Sequence, residues 1–65
     1  MPVVDITLIE GRTPEKKLAL IRKVTEAVVE AIDAPRDSVR VILREVPGEH
    51  FAAGGNPKKM PPGLE

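Results

Sequence analysis

The sequence predicts an α/β (α+β) chain: a single βαβ unit with a short C-terminal hairpin, one domain over residues 1–65. Three observations predict it. A β-branched run near the start alternates with period two, a long segment follows with helical spacing, and a second β-branched run comes after that. A length of 65 residues leaves room for one domain at most.

Val3 to Ile9 reads as the first strand. Val4, Ile6 and Leu8 fall on one face, and Val3, Asp5, Thr7 and Ile9 on the other. Both faces carry apolar residues, as in a strand covered on both sides. Gly11 breaks the pattern. Thr13 then suits an N-cap, Pro14 the first helical position and Glu15 the positive end of the helix dipole. Leu18, Ile21, Val24, Val28 and Ile32 recur at three- and four-residue spacing. With Leu20, Ala27, Val29 and Ala31 they form an apolar sector of roughly 200°, wider than one sheet face requires. The extra width predicts contact with a neighbouring subunit. Pro35 ends the helix by pushing residue 34 out of the α region. Ser38 to Val46 is the second strand, parallel to the first through a right-handed crossover. Pro47-Gly48 is a turn, and His50 to Gly55 holds a short hairpin around Gly54-Gly55. Residues 56–65 carry three prolines and a glycine and are expected to form a loose tail.

Composition narrows the function classes. There is no cysteine, so no disulfide and no cysteine nucleophile, and a single histidine, His50, supplies no zinc ligand set. Phe51 is the one aromatic residue. A chain this short and this poor in large anchors needs another staple, and a partner subunit is the one left. Ten basic residues balance ten acidic ones, which argues against a nucleic-acid module. No apolar run approaches a membrane span. The start, Met1-Pro2-Val3-Val4-Asp5, lacks the basic flank and apolar stretch of a secretory signal, so the expected location is the cytoplasm.

The usual catalytic sets are missing. Ser38 is the one serine, and His50 lies across a strand from it. Asp5, Asp33 and Asp37 show no metal-ligand spacing, so no metal is expected, and Gly54-Gly55 forms no phosphate loop. Pro2 stands out because it follows the initiator methionine. Aminopeptidases remove Met1 before a small residue, which leaves a secondary amine at the start of a strand. Such an amine, neutral near pH 7, is a general base. Arg12 sits before the helix, where an arginine is ordinarily solvated. Arg40, between Val39 and Val41, needs a partner: a glutamate of another strand or subunit, or a substrate carboxylate that matches its planar fork.

These residues, in this order and spacing, resemble the 4-oxalocrotonate tautomerase family. The resemblance runs through Pro2, Glu10-Gly11-Arg12-Thr13 with Glu15 and Lys17, and Leu20-Ile21-Arg22 with Val24-Thr25-Glu26-Ala27. It continues through Asp33-Ala34-Pro35, Ser38-Val39-Arg40-Val41-Ile42, His50-Phe51 and Gly54-Gly55. It implies two βαβ units pairing into a four-stranded sheet and a homohexamer built as a trimer of dimers. It implies a cofactor-independent isomerase that converts a 2-hydroxydienoate, such as the dicarboxylate 2-hydroxymuconate, to its α,β-unsaturated 2-oxo form during aromatic hydrocarbon catabolism. Pro2 would be the base, and Arg12 would hold the distal carboxylate. Arg40, from a neighbouring subunit, would hold the near carboxylate and the 2-oxygen, and Phe51 would keep the pocket apolar. Dehalogenase relatives resembling this chain carry an arginine late in the first strand and an acid just past the aromatic. Here those places hold Ile9 and Ala53, which favours isomerisation over hydration and puts Ile9 on the substrate wall. Two alternatives stay open: a non-catalytic assembly subunit of a hetero-oligomer, or a promiscuous hydratase or dehalogenase.

Overall fold

The computed structural model describes residues 1–64. The first strand, β1, spans Val3–Ile9 as its alternation predicts. Helix α1 spans Pro14–Ile32, and Thr13 caps it: its Oγ1 accepts the Lys16 N–H at 3.2 Å. Strand β2 spans Arg40–Val46 and pairs with β1 in parallel, Val3 opposite Arg40 and Ile9 opposite Val46. Two short strands, β3 (Ala52–Ala53) and β4 (Asn56–Pro57), pair antiparallel. Gly54 and Gly55 between them hold φ of 61° and 84°, the two positive values that a tight two-residue hairpin turn needs. Among the described residues no helix is long and apolar enough to cross a membrane.

Three boundaries differ from the sequence reading. The helix ends at Ile32, because Asp33 takes the left-handed conformation (φ 55°, ψ 33°) and breaks the spiral before Pro35 acts. Ser38 is not in a strand. It lies in a 3₁₀ turn over Arg36–Ser38, where its hydroxyl donates to the Pro35 carbonyl at 2.7 Å and its N–H donates to the same oxygen at 2.9 Å. The chain is also tied down past Asn56. The Lys58 N–H donates to Phe51 O (2.9 Å), and the Lys59 N–H donates to Gly48 O (3.3 Å).

Gly48 is the one buried residue among those described. A Cβ there would sit 3.0 Å from the Lys59 Cβ, so the returning chain fits because position 48 has no side chain. Gly48→Ala is expected to loosen this closure. Hydrogen exchange at the Lys59 amide should accelerate severalfold while exchange in β1 and β2 stays unchanged.

Even positions of β1 and odd positions of β2, from Val4 to Leu8 and from Val41 to Leu43, are half-buried on the side where α1 lies. Lys17 of α1 reaches Glu45 of β2 across that side, Nζ to Oε1 at 3.1 Å. The other side of the pair is open, so the expected cover on both faces is missing within one chain. Val3 there is 56% exposed and Ile42 40%. On α1, Leu18 and Ile32 of the wide apolar sector are also exposed. No hydrophobic side chain among the described residues is fully buried. The radius of gyration, 15.5 Å, exceeds the roughly 11 Å of a compact chain of this length.

Candidate active site

The β1–β2 pair sorts the candidate residues into two groups. Pro2 stands just before β1, half-buried, and its carbonyl accepts the Arg40 N–H at 2.9 Å. Pro2 and Arg40 therefore share one end of the sheet. The Arg40 side chain is exposed, and its Nη1 donates to the Asp37 carbonyl at 2.7 Å. A glutamate was one expected partner for this arginine, but the partner within the chain is a backbone oxygen. That leaves the other guanidinium donors of Arg40 facing outward.

Ile9, Arg12 and Phe51 belong to the far end. Arg12 follows β1, is exposed, and its Nη1 donates to the Ile9 carbonyl at 3.0 Å. Phe51 follows the 3₁₀ turn Gly48–His50 beyond β2, and the residue is 40% exposed. Its N–H donates to Gly48 O at 3.3 Å. At about 3.3 Å per residue, β1 sets the two ends roughly 20 Å apart. The chain thus brings Pro2 together with Arg40, and Ile9 together with Arg12. It does not bring Pro2 to Arg12.

A groove between α1 and the Arg36–Ser38 turn is lined by Ile21, Arg22, Thr25, Glu26 and Arg36, and by none of the candidate residues. Arg36 pairs there with Glu26, whose hydrogen bond and charge hold the guanidinium above its ordinary range. The groove is a notch beside a surface ion pair. Two further arrangements escaped sequence reasoning. Asp37 lends its carbonyl to Arg40, a role no side-chain pattern signals. Asp5 and Arg44 pair on the open sheet face, with Arg44 Nε at 2.9 and 3.0 Å from the two carboxylate oxygens. Their shared face is readable once the β1–β2 register is known.

Comparison with known proteins places this arrangement. A family model for tautomerase enzymes matches residues 2–60. A probable tautomerase of Ralstonia nicotianae is 54% identical, with 95% of this chain and 93% of that protein covered. The 2-hydroxymuconate tautomerase of Pseudomonas sp. (strain CF600) is 49% identical, with 88% of this chain and 90% of that protein covered. Among solved structures, a heterohexamer 4-oxalocrotonate tautomerase from Chloroflexus aurantiacus superposes with a TM-score of 0.86 at 40% identity. The superposition covers 89% of this chain and 94% of that one. The βαβ unit with its terminal hairpin is therefore the fold of the small 4-oxalocrotonate tautomerases. The chain belongs to the tautomerase family, a family of enzymes.

Proposed function

We propose that this chain, once Met1 is removed, is a cofactor-independent isomerase acting on a 2-hydroxydienoate of the 2-hydroxymuconate type. The freed Pro2 nitrogen takes the proton of the 2-hydroxyl. The electron pair moves through the conjugated diene, and the proton returns to the carbon at its far end. One O–H bond breaks, one C–H bond forms, and the 2-oxygen becomes the carbonyl of an α,β-unsaturated ketone. No electron is gained or lost, so the reaction needs no redox partner. Arg40 grips the near carboxylate and the 2-oxygen, where negative charge develops. Arg12 grips the distal carboxylate, and Phe51 with Ile9 forms the apolar wall.

The observation that carries this reading is the separation of Pro2 from Arg12 along β1. A six-carbon dicarboxylate is far shorter than the roughly 20 Å between the two ends. A single chain therefore cannot both deprotonate the substrate and hold its far carboxylate. Copies set antiparallel bring the Pro2 end of one beside the Arg12 end of another, so the proposed enzyme is an oligomer, a homohexamer built as a trimer of dimers. The heterohexameric neighbour and the unburied apolar residues support a hexamer, and leave like and unlike subunits open.

Turnover tests the reading. Met1-free protein is expected to convert 2-hydroxymuconate, followed by the loss of dienol absorbance. Arg12→Ala is expected to lose roughly 10- to 100-fold in kcat/KM on that dicarboxylate, the loss of a charge-assisted carboxylate contact. On a dienol with one carboxylate, the same variant should lose little. Equal losses on both would make Arg12 a structural residue, and no turnover of either would remove the proposal.

A further inference from the structure

The proposed reaction depends on where the Arg40 fork points, and within the chain one hydrogen bond decides that. Arg40 Nη1 donates to the Asp37 carbonyl at 2.7 Å. The guanidinium is planar, so holding one of its nitrogens on a carbonyl sets the direction in which the remaining donors face. A backbone carbonyl points where its peptide plane points. The aim of Arg40 is therefore inherited from the 3₁₀ turn Arg36–Ser38.

Two kinds of contact hold that turn. Local ones fix its shape. The Ser38 hydroxyl and N–H both donate to the Pro35 carbonyl, and the Val39 N–H donates to the Arg36 carbonyl at 3.2 Å. Beyond the turn the chain runs into β2 from Arg40 onward, which anchors that end. The end nearer α1 is left to a contact between elements. Arg36 Nη2 donates to both carboxylate oxygens of Glu26 on α1, with Oε2 at 3.0 Å. Among the described residues this is the one hydrogen-bonded tie between the turn and the helix. Both side chains are exposed, and exposed ion pairs contribute little to stability. The tie matters little to the fold as a whole, yet it holds the residue next to the carbonyl that aims Arg40.

We propose that Glu26 and Arg36 are positioning residues for the isomerisation: their ion pair holds the turn against α1, and the Asp37 carbonyl of that turn aims the Arg40 guanidinium at the 2-oxygen. Neither residue touches substrate. The inference rests on the proposed function and extends it to two residues outside the site. Stabilising a developing enolate oxygen demands geometry, because the donor must sit where the charge forms. A misplacement of about 1 Å, caused far from the chemistry, can cost about a hundredfold. Holding a substrate carboxylate by charge is more tolerant, because a misaimed guanidinium remains a cation at nearly the same distance. Loosening the turn therefore lowers kcat and leaves KM nearly alone.

Steady-state turnover of 2-hydroxymuconate by the Met1-free protein tests this. Arg36→Met and Glu26→Met are each expected to lose roughly 5- to 20-fold in kcat, with KM changed by less than about twofold. The two substitutions change the local charge in opposite senses, so a field effect on Arg40 would move kcat in opposite directions. Arg36→Lys is expected to recover most of the loss. A single nitrogen of Arg36 meets both Glu26 oxygens, and an ammonium can do the same. In an Arg40→Ala background, Arg36→Met is expected to cost less than about twofold, because the group being aimed is gone. Thermal unfolding of the three ion-pair variants should match that of the unaltered chain. The inference is overturned if either methionine variant keeps full kcat, if the two shift kcat in opposite directions, or if Arg36→Lys recovers nothing. It is also overturned if the loss follows a fall in thermal stability, or if Arg36→Met costs as much without Arg40 as with it. An unaltered chain that turns over no dienol removes the proposed function itself, and the inference with it.

Discussion

A chain that keeps one residue ahead of Pro2 is expected to lose about 10²- to 10⁴-fold in kcat/KM on a dienol, the usual contribution of a positioned base. The cause is elementary. With Met1 attached the Pro2 nitrogen is an amide and cannot take a proton; with Met1 gone it is a secondary amine. The fold supports this economy, because the carbonyl of Pro2 is held by the Arg40 N–H and β1 begins at Val3. The nitrogen is fixed within one residue of regular structure. Only the neutral amine can take a proton, so the kcat/KM profile should rise with pH as the Pro2 nitrogen loses its own proton. That rise should vanish when the extra residue is retained. A blocked chain that turns over as fast as the processed one would remove Pro2 from the mechanism.

Arg40→Ala is expected to cost roughly 10² to 10³ in kcat, the usual loss when one stabiliser of a developing oxyanion is removed. Folding should be nearly unaffected. The side chain is exposed and is tied within the chain by one hydrogen bond to the Asp37 carbonyl. A bond of that kind contributes about 1 kcal/mol. Thermal unfolding and turnover measured on the same samples separate the two effects. Arg40→Lys should recover little of the lost rate, because an ammonium cannot span a carboxylate and an enolate oxygen as the planar fork does. A variant that unfolds together with its loss of activity would make Arg40 a structural residue.

Much of the fold is legible along the chain. β1 is readable because alternation and Gly11 mark its face and its end. The start of α1 is readable because a threonine followed by a proline is both a cap and a first turn. The end of α1 is not, because the left-handed backbone of Asp33 leaves no trace in apolar spacing. The start of β2 is displaced for a similar reason. Val39 looks like strand, but the Ser38 hydroxyl satisfies a turn instead. The identity of the candidate site residues is legible, and their placement is not. Nothing in the order Pro2, Arg12, Arg40 says that a strand of seven residues will set the first apart from the second. That follows only from the parallel register. The in-chain partner of Arg40 was hidden because a carbonyl belongs to every residue alike.

That no apolar side chain among the described residues is fully buried also bears on what stability means for this protein. If other copies supply the missing cover, folding and association are one equilibrium, and mass action enters it. Dilution then acts as a denaturant. A melting temperature describes the chain only together with the concentration at which it was measured, and a substitution far from the proton chemistry can silence the enzyme in a dilute assay while leaving it active in a crowded cell.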